Sequence, residues 1–425
     1  MRKENTLNRQ KRKALIIGGG IAGPVAALLL HRAGIEAEIY EARDTHEDYA
    51  SSWLIMACNG LNVLKTLGLD DPVTVEGSPI PLMILSSGKG KRFGEVRNGA
   101  RPEVGAPSIV AKRGTLNRIL LEKATRQGIK VAFGKKLHGI EMTGKQGVIA
   151  TFADGTTAPG DFLIGCDGIH SRTRQLINPG APAPQYTGQI STGGFTHNLN
   201  LPPTPDTLHL VFGKRAFIGY HISSSSEISW FVTFPQTHEP GRSELNEIGS
   251  DEWQRRLLDL LSEDQPFIRD IIGATERITG YPIYDIATQP LWHKGSVVLA
   301  GDAIHAVSPN AGQGASLAME DAIVLAQCLR DIPEWEQAFA TYERLRRERV
   351  ERVVQYARSL GSWRVMTNPI QVWFWELLMP LFLKRSANAT ALDWVYSYKV
   401  DWDARVEGAP DSIKHQEAVN QNQPG

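Results

Sequence analysis

The stretch "KALIIGGGIAGPVAALLLHRAGIEAEIYEAR", Lys13 to Arg43, admits few folds. Ala14 to Ile17 predicts a short buried strand. Gly18, Gly20 and Gly23 then fit GxGxxG, an apolar helix follows, and a second strand from Ile35 to Tyr40 ends at Glu41. The three glycines do different things. Gly18 makes the tight turn, Gly20 lets the backbone approach a pyrophosphate, and Gly23 allows helix and strand to pack closely. The helix start supplies free amides and a positive dipole end, and Glu41 is placed to hold the ribose hydroxyls of an adenosine. Strand, helix, second strand and acid in this order separate the unit from a bare glycine-rich turn. They do not separate NAD from FAD as the bound dinucleotide.

Composition narrows the partners. The 425 residues suffice for about two or three domains, and 42% apolar with 22% charged residues is ordinary for a globular chain. Lys plus Arg and Asp plus Glu both total 46, so no global field draws in nucleic acid or an anionic membrane, and a small-molecule partner is expected. Cys58, Cys166 and Cys328 form no CxxC pair or disulfide framework, which points to buried thiols in a reducing, cytoplasmic compartment. Residues 1–12 read as a disordered basic arm and 411–425 as a disordered polar tail. The aromatic stretch 369–385 is interrupted by charge and proline and is too short to span a bilayer. It reads as a packed helix, with a peripheral membrane or partner contact as the alternative.

Three further motifs follow in order. "AKRGTLNRILLEKA" is a helix with Arg113 near its start, and "VIATFADGTTAPGDFLIGCDGIHSRTR" is two strands turning at Asp154 and Gly155, then a buried strand ending at Asp167 and Gly168. "GSVVLAGD" is another buried strand, ending at Asp302. Taken with the glycine motif and Glu41, the set RxxLxxxL, DGxxSxxR and GD resembles the single-component FAD-dependent aromatic hydroxylases. These are the group A flavoprotein monooxygenases related to para-hydroxybenzoate hydroxylase. The match runs in motif order over about residues 14–360.

The resemblance implies an α/β fold in which a Rossmann-like FAD-binding domain is interleaved with a β-sheet substrate domain, followed by C-terminal helices. The cofactor domain is expected over 13–80, 106–184 and 286–362, the substrate domain over 81–105 and 185–285, and a helical aromatic segment over 363–410. It also implies extended FAD, with NADH or NADPH visiting transiently. Asp302, at the carboxyl end of its strand, can accept hydrogen bonds from the ribityl hydroxyls. Gly312 and Gly314 leave room for the ring edge, the helix starting near Ala315 aims its positive end at the pyrimidine side, and Pro309 lies beside the ring. Arg113 is expected at the FAD phosphates or ribityl chain, Asp167 at the cofactor, and Ala22, Ala42 and Leu137 complete the binding set. Arg172 and Arg174 read equally as donor-phosphate contacts or surface ion pairs. The arginines of "YERLRRERVERVVQYARSL" read as a solvated helix face.

From Gln185 to Asp285 the chain shifts to alternating strands, "TLHLVFG", "AFIGYHIS" and "EISWFVTFP", with Phe217, Tyr220, Trp230 and Phe234 available to either face. "SSGKGKRFG" lacks a following helix and reads as a hairpin. His197, Tyr220 and His221 are candidates for the substrate cavity, weighed against structural roles. No residue pattern suggests a metal site. Where the family commonly has glycine and proline, this chain carries Ser51 and Cys58.

The implied reaction passes hydride from NAD(P)H to FAD, adds O2 at flavin C4a, and transfers hydroxyl from the hydroperoxide to an electron-rich, aromatic or polycyclic substrate. Epoxidation would use the same intermediate. A reductase or dehydrogenase of the same fold is the alternative, and a nucleotide-binding interaction protein is the reading from outside enzymes.

Overall fold

The computed structural model describes residues 12–45, 52–101, 105–144, 147–197, 199–361 and 392–407. The arm up to residue 11, Ser51, the aromatic stretch 369–385 and the tail from 411 lie outside the described residues.

A six-stranded sheet carries the glycine motif. Its order is His293–Lys294, Val297–Leu299, Phe162–Gly165, Lys13–Ile17, Glu36–Tyr40 and Lys130–Ala132, and all neighbours are parallel except the first pair. Its central strands read as unbroken apolar runs because a parallel sheet is covered on both faces. Ile16 lies beside Ile164 and Ile39, and Ile164 beside Val298, all fully buried. The helix Ala22–Arg32 is buried from Ala22 to Leu30, which explains its lack of a polar face. It packs against the equally buried helix Gly314–Asp331, and Trp335–Gly361 packs against that in turn. The turn expected at Asp154 and Gly155 joins Val148–Phe152 to Thr157–Gly160, with Gly155 at φ +82°.

The second large sheet has seven strands: Thr279–Asp285, Gln185–Thr196, Ile228–Pro235, Phe217–Ile222, Thr207–Phe212, Leu82–Ser87 and Arg92–Arg97. The last two form the expected hairpin. Alternation along the strands divides the side chains into two cores. Ile218, Tyr220, Ile222, Trp230 and Val232 face the helices Ser250–Leu260 and Pro266–Gly273, packing with Trp253, Leu257 and Ile271. Leu208, Leu210, Phe217 and the half-buried Phe231 face the other way, onto Trp53, Ile55, Ile80 and Val110. Trp53 and Ile55 belong to a small sheet formed by Trp53–Met56, Ile109–Lys112 and Ser78–Pro79. This second face therefore packs against the small sheet, away from the helices Ser250–Leu260 and Pro266–Gly273.

All three cysteines are free. Burial pushes the Cys58 thiol up to about 11 and that of Cys328 up to about 12, so both are protonated. Among the described residues no helix is long and apolar enough to cross a membrane, and no group of His, Cys, Asp and Glu could hold a metal ion.

Leu163 has strands on both sides and no solvent exposure. Leu163→Ala is expected to destabilise the protein by about 2–5 kcal/mol, whereas Val75→Ala, at a side chain 84% exposed, changes stability by about 0.5 kcal/mol or less. Urea unfolding of the two variants tests the contrast.

Candidate active site

The glycine turn is forced by close backbone approach. Gly18 sits at φ +108°, and a Cβ there would lie 2.3 Å from the Cys166 carbonyl oxygen; a Cβ on Gly23 would lie 1.9 Å from the Gly18 carbonyl oxygen. Glu41 ends its strand as expected, with its carboxylate accepting from the Gly19 amide at 2.6 Å and the Arg43 amide at 3.0 Å. The sequence reading missed Asn117, whose buried amide donates to the carbonyls of Gly19 (2.7 Å) and Gly20 (2.6 Å) and so fixes the turn from outside. Its signal was a polar residue on the apolar face of the Arg113 helix. Ala22 begins a helix whose N-cap, Ile21, offers no side-chain acceptor, so its first amides are free for a pyrophosphate. This cradle fits a dinucleotide. Ala42 follows at the exposed strand end, while the Leu137 side chain packs in the core. Arg113 opens its helix, and its amide donates to the Ser52 carbonyl.

Asp302 lies in a turn that two buried side chains hold. Gly301 adopts φ 63°, ψ −139°, and a Cβ there would meet Ala318 at 3.0 Å and Ala22 at 3.3 Å. Asp321 Oδ2 accepts from the Gly301 amide at 2.9 Å and lies 2.5 Å from His305 Nε2. From the far side, Arg174 Nη1 donates to the Ala303 carbonyl at 2.8 Å. The half-buried Asp302 carboxylate accepts no hydrogen bond among the described residues. It faces the start of the helix Gly314–Asp331, since a Cβ on Gly314 would lie 4.0 Å from its Oδ1. Pro309 opens a short 3-10 turn, Gly312 closes it at φ 60° against Ile55, and Gly314 and Ala315 form an uncapped helix start.

Behind this turn lies an ion network that corrects the reading of the long helix as a solvated arginine face. Arg346 is wholly buried: its Nε donates to Asp321 Oδ1 at 2.9 Å, and its Nη1 lies 2.7 Å from Glu320 Oε2. Arg349 donates twice to Glu320, at 2.8 and 2.7 Å. Asn59 donates to Glu320 at 2.6 Å and to Gln313, the residue before Gly314, at 3.0 Å. An arginine-rich helix carries no sequence mark that distinguishes the arginines meeting buried carboxylates from those meeting water. Burial alone would raise Asp321, but His305 and Arg346 outweigh it and bring its carboxyl down to about 2. Burial alone would lower His305, but Asp321 outweighs it and holds the imidazolium above its ordinary 6.5.

The DG segment differs from expectation. Both Asp167 oxygens are occupied: Oδ1 by Ser171 Oγ at 2.5 Å, Oδ2 by the Thr173 amide and hydroxyl, each at 2.9 Å. Burial raises its carboxyl despite these bonds. Arg174 is neither a surface ion pair nor open to a phosphate, because its buried guanidinium joins the Ala303 and Ile169 carbonyls. Arg172 donates to the His138 carbonyl.

The proposed cavity residues separate. Tyr220 points into the helix layer, stacked on His209 with ring centroids 4.6 Å apart and edge-on to Phe267 at 5.6 Å, so it lies on the face that the helices cover. His197 is 58% exposed at a strand end, 3.7 Å from Glu227. His221 lies on the Phe217 face but is buried, with Nδ1 2.9 Å from the Thr207 carbonyl. Phe217 is fully buried against Phe212 and Phe231. Among the described residues Trp53, Phe195 and Phe231 are half-exposed aromatic residues on the face opposite the helix layer; Trp53 and Phe231 have centroids 5.7 Å apart, and Trp53 donates to the Trp230 carbonyl at 3.1 Å. Strand alternation alone does not say which face a helix layer will cover.

Comparison with known proteins agrees with this geometry. The family described as FAD binding domain matches residues 11–357. The chain belongs to this family and is an FAD-dependent monooxygenase, an oxidoreductase. It is 31% identical to the aurachin C monooxygenase/isomerase of Stigmatella aurantiaca over 382 residues, covering 88% of this chain and 95% of that one. It is 28% identical over 377 residues to the 6-hydroxynicotinate 3-monooxygenase of Pseudomonas fluorescens, covering 86% and 94%. Among solved structures it resembles Klebsiella pneumoniae HpxO complexed with FAD and uric acid, with TM-score 0.79, 25% identity, and coverage of 91% and 97%.

The His305–Asp321 pair has a defined pH signature. Because folding raises the imidazolium, its contribution is fully present below the unfolded value of 6.5 and is lost as pH rises through the higher folded value. The urea midpoint of wild type is therefore expected to fall relative to His305→Gln as pH climbs above 6.5. Parallel curves for the two proteins would show that the pair does not titrate in this way.

Proposed function

We propose that the chain uses NADH or NADPH and O2 to hydroxylate, or epoxidise, an electron-rich aromatic or polycyclic small molecule. The carrying observation is Asp302, a half-buried carboxylate that accepts no hydrogen bond among the described residues, on a turn held from both sides. Relatives named for 6-hydroxynicotinate and aurachin C, and a similar structure holding uric acid, support a planar heteroaromatic substrate. Free buried cysteines support a reducing, cytoplasmic setting.

FAD, when bound, supplies hydride acceptance and oxygen activation. The rest falls to the chain. Gly18, Gly20, Ala22 and Gly23 present backbone to the pyrophosphate, Glu41 and Ala42 border the adenosine ribose, and Arg113 neutralises phosphate charge. Asp302 accepts from the ribityl hydroxyls. The uncapped amides at Gly314 and Ala315 place positive potential at the pyrimidine edge, with Pro309 beside the ring. Trp53, Phe195 and Phe231 form an apolar wall that orients a flat substrate and excludes water. The described residues support no obligatory proton-transfer group.

The purified protein is expected to be yellow and to release FAD on denaturation. Glu41→Ala and Asp302→Ala should each weaken FAD binding at least about tenfold, as loss of a charge-assisted hydrogen bond of about 1.5–3 kcal/mol requires. Unchanged affinity in both variants would count against the placement.

NAD(P)H oxidation should accelerate with a fitting aromatic ligand, and 18O from O2 should appear in product. Acceleration without label would favour a reductase. Phe231→Ala should raise the fraction of NAD(P)H electrons lost as hydrogen peroxide, measured by a peroxide assay, because a loosened wall misplaces the reacting carbon.

A further inference from the structure

We infer that Asp321 is a positioning residue for the cofactor: it acts through Asp302, holding the turn that presents this carboxylate. The inference rests on the reading of Asp302 as a flavin ligand. One oxygen of Asp321 meets both ends of the turn, the Gly301 amide at 2.9 Å and His305 Nε2 at 2.5 Å, while Asp302 lies between them in sequence and has no hydrogen bond to Asp321 or Arg346 among the described residues. The other oxygen takes the Arg346 Nε proton at 2.9 Å. Asp321, His305 and Arg346 are all at least nine-tenths buried, so no water substitutes easily for a lost partner.

The backbone explains why such a hold is needed. Gly301 occupies a region of φ and ψ reserved for glycine, which also gives the turn its widest conformational choice in the absence of restraint. Ala318 and Ala22 press on Gly301 from two helices, and Arg174 holds the Ala303 carbonyl. These contacts leave the amide side of the turn to Asp321. A carboxylate that must meet sugar hydroxyls loses much of its hydrogen bonding when displaced by a fraction of an ångström.

A general packing role and a positioning role predict different patterns in FAD and ADP binding. Apo-protein carrying Asp321→Asn, Asp302→Ala or both is titrated with FAD by flavin fluorescence and with ADP by calorimetry; ADP reports the Glu41 half of the cradle alone. Asp321→Asn is expected to weaken FAD about tenfold, to leave ADP affinity within about twofold, and to add less than about twofold in the Asp302→Ala background. Equal losses for FAD and ADP, or losses that multiply fully in the double variant, overturn the inference.

Should Asp321→Asn fail to fold, His305→Ala decides the matter, since it removes one anchor and leaves the Asp321–Arg346 pair. It should weaken FAD several-fold without affecting ADP, and His305→Gln, which retains a donor, should restore affinity; undiminished FAD binding by His305→Ala overturns the inference. If Asp302→Ala itself binds FAD normally, the cofactor reading of Asp302 falls and this inference with it. If Asp302→Ala weakens FAD while Asp321→Asn does not, the inference alone falls.

Discussion

A guanidinium without access to solvent, that of Arg346, lies between the carboxylates of Glu320 and Asp321, and the Asp302 turn and the start of the Gly314 helix are arranged around it. Removing three charges from water costs several kcal/mol per ion, and good geometry with further hydrogen bonds must offset that. Here both carboxylates have further partners: His305 and Gly301 for Asp321, Arg349 and Asn59 for Glu320. The members of this network come from the helix Cys58–Thr66, the Asp302 turn, the Gly314 helix and the long helix after it, so these elements meet in one register.

The same network reaches the chain beyond residue 391. Arg349 Nη1 donates to the Trp394 carbonyl at 2.7 Å and Nη2 to that of Val395 at 3.0 Å, and its guanidinium lies 4.0 Å from the centre of the Tyr398 ring. Further on, Gln327 donates to the Asp401 carbonyl at 2.6 Å, and Arg330 sits over the Trp402 ring at 4.8 Å. These contacts fasten residues 392–407 along the back of the Gly314 helix. The network around Arg346 and the C-terminal segment thus share Glu320.

What could be read in advance follows from how local each signal is. The glycine turn, Glu41 and the GD strand depend on neighbours within a few residues and on backbone geometry that only glycine allows, so they were legible. The hairpin after Ser87 was legible for the same reason. Tyr220 and Phe217 were not separable, because alternation tells that they oppose one another but not which side the helices Ser250–Leu260 and Pro266–Gly273 will cover. Arg346 read as part of a solvated face, and Arg174 equally as a donor-phosphate contact or a surface ion pair, because their partners are distant in sequence: Arg174 meets Ala303 across 129 positions, and Arg346 meets Asp321 across 25. Asp167 read as a ligand from its place at a sheet edge, and Ser171 and Thr173, visible in the same motif, donate to it as well.

The order of strands in the parallel sheet bears on how the protein is made. Lys13–Ile17, the fourth strand across, has Phe162–Gly165 as one neighbour, and that strand needs Val297–Leu299 on its other side. A ribosome delivers these pieces at widely separated times, since synthesis runs at about 5–20 residues per second. Asp321 and Glu320 emerge before Arg346, so two carboxylates bound for the interior wait in water until the long helix arrives. The glycine turn waits for Asn117 and for the Cys166 carbonyl it packs against, and the Asp302 turn waits for Asp321. A truncation before residue 346 leaves Glu320 and Asp321 without the guanidinium that pairs with both of them.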